Sequence, residues 1–517
     1  MFLFYLSFLI FFTDVCLGSE SFNVSTVFGD HMVLQRNTNS RFWGFATIGS
    51  KIQLTIDNDI TNNLTTITDN RGIWTFTLPM YSAGGPHTFT TWCVKDCVNS
   101  ETYQFIDIYF GDVYLCGGQS NMAYETELLM NASTELAIAD NPKYHTIRLF
   151  QVGTLDTFTV PVRSLEHVEK PWTSTNHTSV ANFASLCWLT GRNIFDGLNG
   201  TVPIGLISSC VSGSPIQNWV DKETLDSCAS LRPHPDPCNA SDSGYYNSMI
   251  APFVLPGPLA ITGIMFWQGE ENLAYNETEY YSCMFPSLIN SWRKAFTPST
   301  SPSAIPYWFG YVQIQAFSQY ATPEHNDTYD APWFRQYGQL IPTQSLPNIS
   351  FACTINIGDP LSPLKSIHPR DKQPVGEILG KAALYNIYQQ SNGTYASPLY
   401  KSSVCTKDTT SNNWTVAVTF SYDTLTSKFT LTTPPDCPTS EGVPAADCST
   451  YGILGSDGIW YNATAQTNDN VTLLVSAVLP EGITAVSHGY GWSVWPLTSL
   501  YAENSIVPIV PWLENCS

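Results

Sequence analysis

Residues 105–116, FIDIYFGDVYLC, form an almost unbroken apolar and aromatic run that stops at Gly117-Gly118. A run of this kind reads as a strand buried on both faces, as in a parallel sheet. Such a strand requires helices above and below it, so it constrains the fold more than any other segment. The sequence that follows supplies them. VANFASLCWLTGRNIFDGL (180–198) carries apolar residues at helical spacing, and PVGEILGKAALYNIY (374–388) reads as another helix. VPIGLISS (202–209), AITGIMFWQ (260–268) and YWFGYVQIQ (307–315) read as further buried strands. Strands alternating with helices specify an α/β sheet with crossover helices.

The flanks have a different texture. VSTVF, RFWGFA, KIQLTI, IWTFTL and HTFTTWCV are short runs rich in β-branched and aromatic residues, separated by Asn-Arg-Gly and Gly-Gly-Pro turns. They suggest a β-sandwich over residues 19–106. WTVAVTFSY, KFTLTT and VTLLVSAVL suggest a second β module over 396–517, leaving 107–395 for the α/β domain. A chain of 517 residues accommodates several such domains.

Residues 2–12, FLFYLSFLIFF, have the length of a signal-peptide core and precede Cys16-Leu17-Gly18, a plausible cleavage point after Gly18, so residues 1–18 read as a cleaved signal. The run is short for a membrane span, and no stable anchor is expected after cleavage. Fourteen Asn-X-Ser/Thr sequons, from Asn23 to Asn515, fit passage through the secretory pathway and predict N-linked glycans. The expected location is outside the cell or in the lysosome. A net charge of −21 excludes nucleic acid as a partner, because phosphates call for basic surface. After Cys16 leaves with the signal, 13 cysteines remain, an odd number. Cys93/Cys97, Cys437/Cys448 and Cys228/Cys238 are close enough in sequence to form local disulfides; for the first, disulfide is favoured over metal ligation.

The chemistry centres on GDVYLCGGQSNM (111–122). Glycines at the end of a buried strand permit a tight turn that lifts Ser120 to the carboxyl edge of the sheet. Read alone, the segment leaves two roles open for Ser120, nucleophile or cap of the next helix. It is not the Gly-X-Ser-X-Gly elbow of α/β-hydrolases.

This block closely resembles the nucleophile block of the sialate O-acetylesterases, a branch of the SGNH (GDSL-like) hydrolases. Other blocks resemble the family in the same order: VFGDHMVLQR (27–36), GLISSCVSGSPIQNW (205–219), WQGEEN (267–272), SIHPRDKQPVG (366–376) and GYGWSVWPLTSLYAENSIVPIVPW (489–512). The resemblance covers nearly the whole chain. It implies an SGNH-type three-layer α/β/α hydrolase core flanked by the two β modules, and a serine esterase acting on O-acetylated sialic acid, without metal or organic cofactor.

The resemblance also assigns roles. Ser120 would attack the ester carbonyl and His368 would take its proton. The Ser120 N–H, the Gly213 N–H and the Gln268 side chain match the oxyanion hole by position. The family usually has a second glycine in the second block, where this chain has Ser212. Many SGNH enzymes place an aspartate two or three positions before the histidine, and here those positions hold Ser366 and Lys365. Asp359 is the favoured orienting group, with a backbone carbonyl near Lys365 as the other; either can fix the tautomer. Glu270 is a candidate for contact with a substrate hydroxyl, or a structural residue. Arg335 has the planar fork that pairs with a sugar carboxylate, unless it serves in an ion pair at a surface or domain interface. Trp267, Trp292 and Trp333 are candidates for a sugar site, with core packing as the default. An esterase for another acetylated polysaccharide, such as xylan, would carry the same serine site. A glycan-binding protein on an inactive esterase fold, or a cell-surface protein with a retained anchor, would carry the same β modules.

Overall fold

The computed structural model describes residues 20–99, 101–154, 157–232, 242–297, 307–318, 330–391, 393–422 and 426–516. The signal reading over 1–18 and the pairing expected for Cys238 lie outside these residues.

Seven strands build the central sheet: β1 (Thr102–Gly118), β2 (Ile147–Val152), β3 (Val168–Ser174), β4 (Ile204–Cys210), β5 (Gly263–Trp267), β6 (Trp308–Val312) and β7 (Ile349–Ala352). Their order is β3-β2-β4-β1-β5-β6-β7. All neighbours are parallel except β2 and β3. The long apolar run at 105–116 thus lies in the middle, where both faces are covered. Period-two alternation divides its side chains between two layers. Val113 and Leu115 pack with helix α3 (Thr278–Phe296) through Met284, Phe285 and Leu288. Tyr114 and Cys116 pack with α2 (Ser185–Gly197) and α4 (Gln373–Tyr388) through Leu186, Leu189, Ile378 and Leu379. Each such aliphatic or aromatic side chain contributes about 1.5–3 kcal/mol on full burial. The core is therefore an α/β/α sandwich.

β1 also serves the N-terminal module. Its first residues alternate between exposed and half-buried, and its last nine are all buried. The first half pairs antiparallel with Gly84–Lys95, which in turn pairs with Lys51–Ile56. A three-stranded sheet of Asn23–Val24, Arg41–Phe45 and Ile73–Thr77 completes the module. Position 107 falls inside this one continuous strand. At the other end, Leu399–Lys407, Asn413–Ser421 and five later strands form an antiparallel sheet with its own core around Val416, Val418, Val475 and Trp512.

The disulfides Cys93–Cys97 and Cys437–Cys448 match the sequence expectation. Cys228 does not wait for Cys238: it pairs with Cys283 on α3, a tertiary neighbour 55 positions away. Cys116–Cys187 ties β1 to α2, and Cys405–Cys516 closes the C-terminal module. Cys210 and Cys353 are free thiols. Among the described residues, no helix is long and apolar enough to cross a membrane, and no His/Cys/Asp/Glu group is arranged to hold a metal.

Candidate active site

The topology brings three sequence blocks to one point. The chain adds β2 and β4 on one side of β1, then crosses to β5 on the other. The carboxyl end of β1 is therefore a switch point, where open α/β sheets form their crevice. Gly118 is registered between Cys210 of β4 and Trp267 of β5. Ser120, the loop after β4 and Gln268 consequently emerge side by side. Gly118 has φ of 136°, and a Cβ there would lie 2.1 Å from the Trp267 carbonyl oxygen, so only glycine passes.

Ser120 opens helix α1 (Ser120–Ala123). Its Oγ lies 2.8 Å from His368 Nε2. His368 Nδ1 lies 2.5 Å from the carbonyl oxygen of Leu364. A carbonyl only accepts, so Nδ1 carries the proton and Nε2 is the free base that accepts from the Ser120 hydroxyl. The loop is held tightly: Lys365 adopts φ of 69°, His368 N–H donates to the Lys365 carbonyl at 2.9 Å, and the Ser362 hydroxyl donates to the His368 carbonyl at 2.6 Å.

Asp359 is not the orienting group. Its carboxylate accepts from Arg370 Nε at 2.6 Å and Nη2 at 3.0 Å. Burial works against its charge, but the Arg370 hydrogen bonds outweigh burial and hold the carboxyl below its usual range. An aspartate with a bidentate arginine partner is already satisfied, and the turn hands His368 to a carbonyl instead.

Two of the expected oxyanion donors lie on the turns beside the nucleophile. The Ser120 N–H is the first of α1 and has no intrahelical acceptor. Gly213 lies exposed on the loop after β4, at φ of 66° with open space where a Cβ would be. Gln268 is placed otherwise. It is 1% exposed, and its Nε2 is surrounded by three acceptors: Gln119 Oε1, Ser214 O and Asn272 Oδ1, at 3.2, 3.2 and 2.8 Å. That amide fastens the nucleophile turn to the neighbouring blocks. Glu270 likewise makes no outward contact. It is buried beneath α1, accepts from Asn121 Nδ2 at 2.6 Å, and burial raises its pKa.

Arg335 is committed as well. It is 2% exposed and donates to the carbonyls of Ile314, Gln315, Ser493 and Val494, which ties the central sheet to the C-terminal module. With all its faces used it has no fork left for a sugar carboxylate. Trp267 and Trp292 are core residues, whereas Trp333 is partly exposed and rests on Tyr337.

Two residues without a role in the sequence reading join the site. Asn121 Nδ2 donates to Glu270 and to the Ile367 carbonyl at 2.9 Å, and its Oδ1 accepts from Lys372 Nζ at 2.7 Å. It therefore clamps the nucleophile segment to the residue before His368. The Lys372 ammonium is fully buried over the Trp267 and Tyr124 rings, 4.0 and 4.7 Å from their centroids, and burial pushes its pKa down to about 7. A lysine four positions after a histidine carries no sequence signal of such a role.

The surroundings set the working pH. His368 is lowered from 6.5, chiefly by burial; the Leu364 carbonyl opposes this, and the charges of Lys372 and Lys365 reinforce it. The neutral imidazole is the competent base, so kcat/KM should fall as pH drops through a midpoint below 6.5. An acid limb centred above that value in a pH–rate profile would contradict this environment. The same shift has a stability consequence. The unfolded state binds this proton more readily, so His368 contributes stability that is lost as pH falls through the window below 6.5.

The profile of the carbohydrate esterase family described as sialic acid-specific acetylesterase matches residues 110–328. The chain is 27% identical to the sialate O-acetylesterase of Mus musculus, over 96% of this chain and 95% of that protein. It is 30% identical to the sialate O-acetylesterase of Homo sapiens over 73% of each. In three dimensions it resembles a carbohydrate acetylesterase from Xanthomonas citri with a TM-score of 0.74, at 23% identity, covering 95% of this chain and 99% of the other.

Proposed function

The chain belongs to the sialate O-acetylesterase family, and on that premise we propose that it hydrolyses O-acetyl esters of sialic acids with Ser120 as nucleophile and His368 as base. The observation that carries the reading is the relay Ser120 Oγ–His368 Nε2, with His368 Nδ1 fixed on the Leu364 carbonyl. Ser120 attacks the acetyl carbonyl as His368 takes its proton. The tetrahedral oxyanion meets the N–H groups of Ser120 and Gly213. His368 then protonates the departing sugar hydroxyl, leaving an acetyl-serine. Water, deprotonated by the same imidazole, attacks the acetyl group and releases acetate. The activating unit is a Ser–His dyad oriented by a backbone carbonyl, a variant that needs only an acceptor for the Nδ1 proton.

Acetate release from an O-acetylated sialic acid, set against acetylated xylan at equal ester concentration, tests the substrate. The sialic ester should be faster by at least about tenfold, equivalent to ~1.4 kcal/mol in the transition state. Equal rates, or faster xylan deacetylation, would reject the sialic assignment while keeping the esterase.

The same reading places the protein in the secretory pathway, secreted or lysosomal, with N-linked glycans and without an anchor after signal removal. Five disulfides support an oxidising compartment. Recovery of protein whose first residue is Ser19, and whose mass drops on enzymatic deglycosylation, is the expected result. A retained residue 1–18 segment would refute the cleavage.

A further inference from the structure

A polar cavity of about 210 Å³ opens at the carboxyl edge of the sheet, where β2 and β4 end beside α1. Ala123, one helical turn beyond Ser120, forms one wall. Cys210 forms another and is registered beside Gly118, two residues before Ser120. The cavity therefore lies at the same sheet edge as the nucleophile turn, and the relay described above makes no use of it.

Its lining breaks the pattern of the layer it belongs to. On β2 the residues facing α2 run Ile147, Leu149, Gln151; on β4 they run Ile204, Leu206, Ser208, Cys210. Gln151 and Ser208 are register partners and lie side by side on one face. The helix that should cover them stops short, because the segment 180–198 is not one helix: His177–Ala181 ends at Asn182 and α2 begins only at Ser185. Polar side chains in an apolar layer cost free energy unless something partners them. Gln151 Oε1 is buried there and has no hydrogen-bond partner among the described residues.

The donor set defines the ligand. Glu125, Glu169 and Gln151 present mainly acceptors, and among the described residues no Lys, Arg or His lines the cavity. The Lys170 ammonium, bonded to the lining residue Asn182 at 2.7 Å, sets one positive charge against the two carboxylates of Glu125 and Glu169, which outnumber it. Acceptor-rich walls bind O–H donors and repel a carboxylate. The volume is below the roughly 300–1,000 Å³ of whole small-molecule sites, so it admits part of a ligand. We propose that this cavity is the subsite for the uncharged, hydroxyl-bearing part of the acetylated sugar, selected by Glu125 and Gln151, with the sugar's carboxylate left outside it. The assignment rests on the esterase reading of Ser120.

Glu125→Ala and Gln151→Leu test it, with an O-acetylated sialic acid and a small aryl acetate as paired substrates. The ratio of kcat/KM for the sugar ester to that for the aryl ester should fall roughly 10–100-fold, mainly through KM, the effect of losing a hydrogen bond to a charged or buried group. A ratio unchanged in both variants overturns the subsite, and the aryl ester reports folding in the same assay. If wild-type protein cleaves the aryl ester but not the sialic ester, the substrate assignment fails separately. The subsite is then judged by competition of an uncharged hexitol against aryl acetate. Inhibition of wild type that weakens about tenfold or more in Glu125→Ala supports it; equal inhibition, or none, overturns it.

Discussion

Ser120→Ala should lower kcat for aryl acetate and sugar ester alike by about 10⁴–10⁶-fold, and His368→Ala should do nearly the same. The two groups form one unit, joined at 2.8 Å, so the double variant should be little worse than either single one. In the proposed mechanism the residual rate comes from the N–H groups of Ser120 and Gly213, which none of these changes removes. Asp359→Asn separates a dyad from a triad. Because Asp359 is held by Arg370 and not by His368, its loss should cost less than about tenfold in kcat, whereas loss of a triad aspartate costs about 10⁴-fold. Steady-state kinetics on the four variants decide the matter. A collapse of Asp359→Asn to the level of His368→Ala would show that the carboxylate orients the imidazole during turnover.

Lys372→Met should lower both stability and catalysis and move the pH–rate profile. The wild-type ammonium is fully buried, which makes its charge costly, and burial already drives its pKa to about 7. Removing it relieves that cost. The same change leaves Asn121 Oδ1 without its donor at 2.7 Å, a loss of about 1–3 kcal/mol. The change also strips the buried Glu270 of the positive charge that faces it, and removal of one partner of a buried pair is destabilising, so the urea midpoint should fall. Catalysis should fall with it. Asn121 positions Ser120's segment against the Ile367 carbonyl, and loosening it should lower kcat about 10–100-fold, since small displacements of reacting groups are costly. A second signature follows from charge. Lys372 pushes the His368 pKa down, so its removal should raise that pKa and move the acid limb of the pH–rate profile upward. A variant with wild-type kcat and an unmoved acid limb would leave Lys372 as a purely structural residue.

Much of this was written in the chain. The apolar run into Gly117-Gly118 dictates a central strand ending in a tight turn, because only a sheet covered on both faces buries such a run. The ordered blocks name Ser120 and His368, and the free tautomer at Nε2 follows once His368 has an Nδ1 acceptor. What the chain could not settle is where the polar side chains around that pair point. Asp359, Gln268, Glu270 and Arg335 are plausible site residues by type and position, yet each is turned to a partner within the fold, some near in sequence and some far: Arg370, Asn272 with Ser214, Asn121, and the carbonyls of 314–315 and 493–494. A buried polar group goes to whichever acceptor or donor packing brings near, and spacing along the chain does not encode that. Cys228 follows the same rule in choosing Cys283. Sequence determined the strand, the turn and the proposed Ser120–His368 pair; the tertiary structure alone decided what orients His368 and left the polar cavity open at the same sheet edge, because both depend on contacts between segments that meet only when the sheet is assembled.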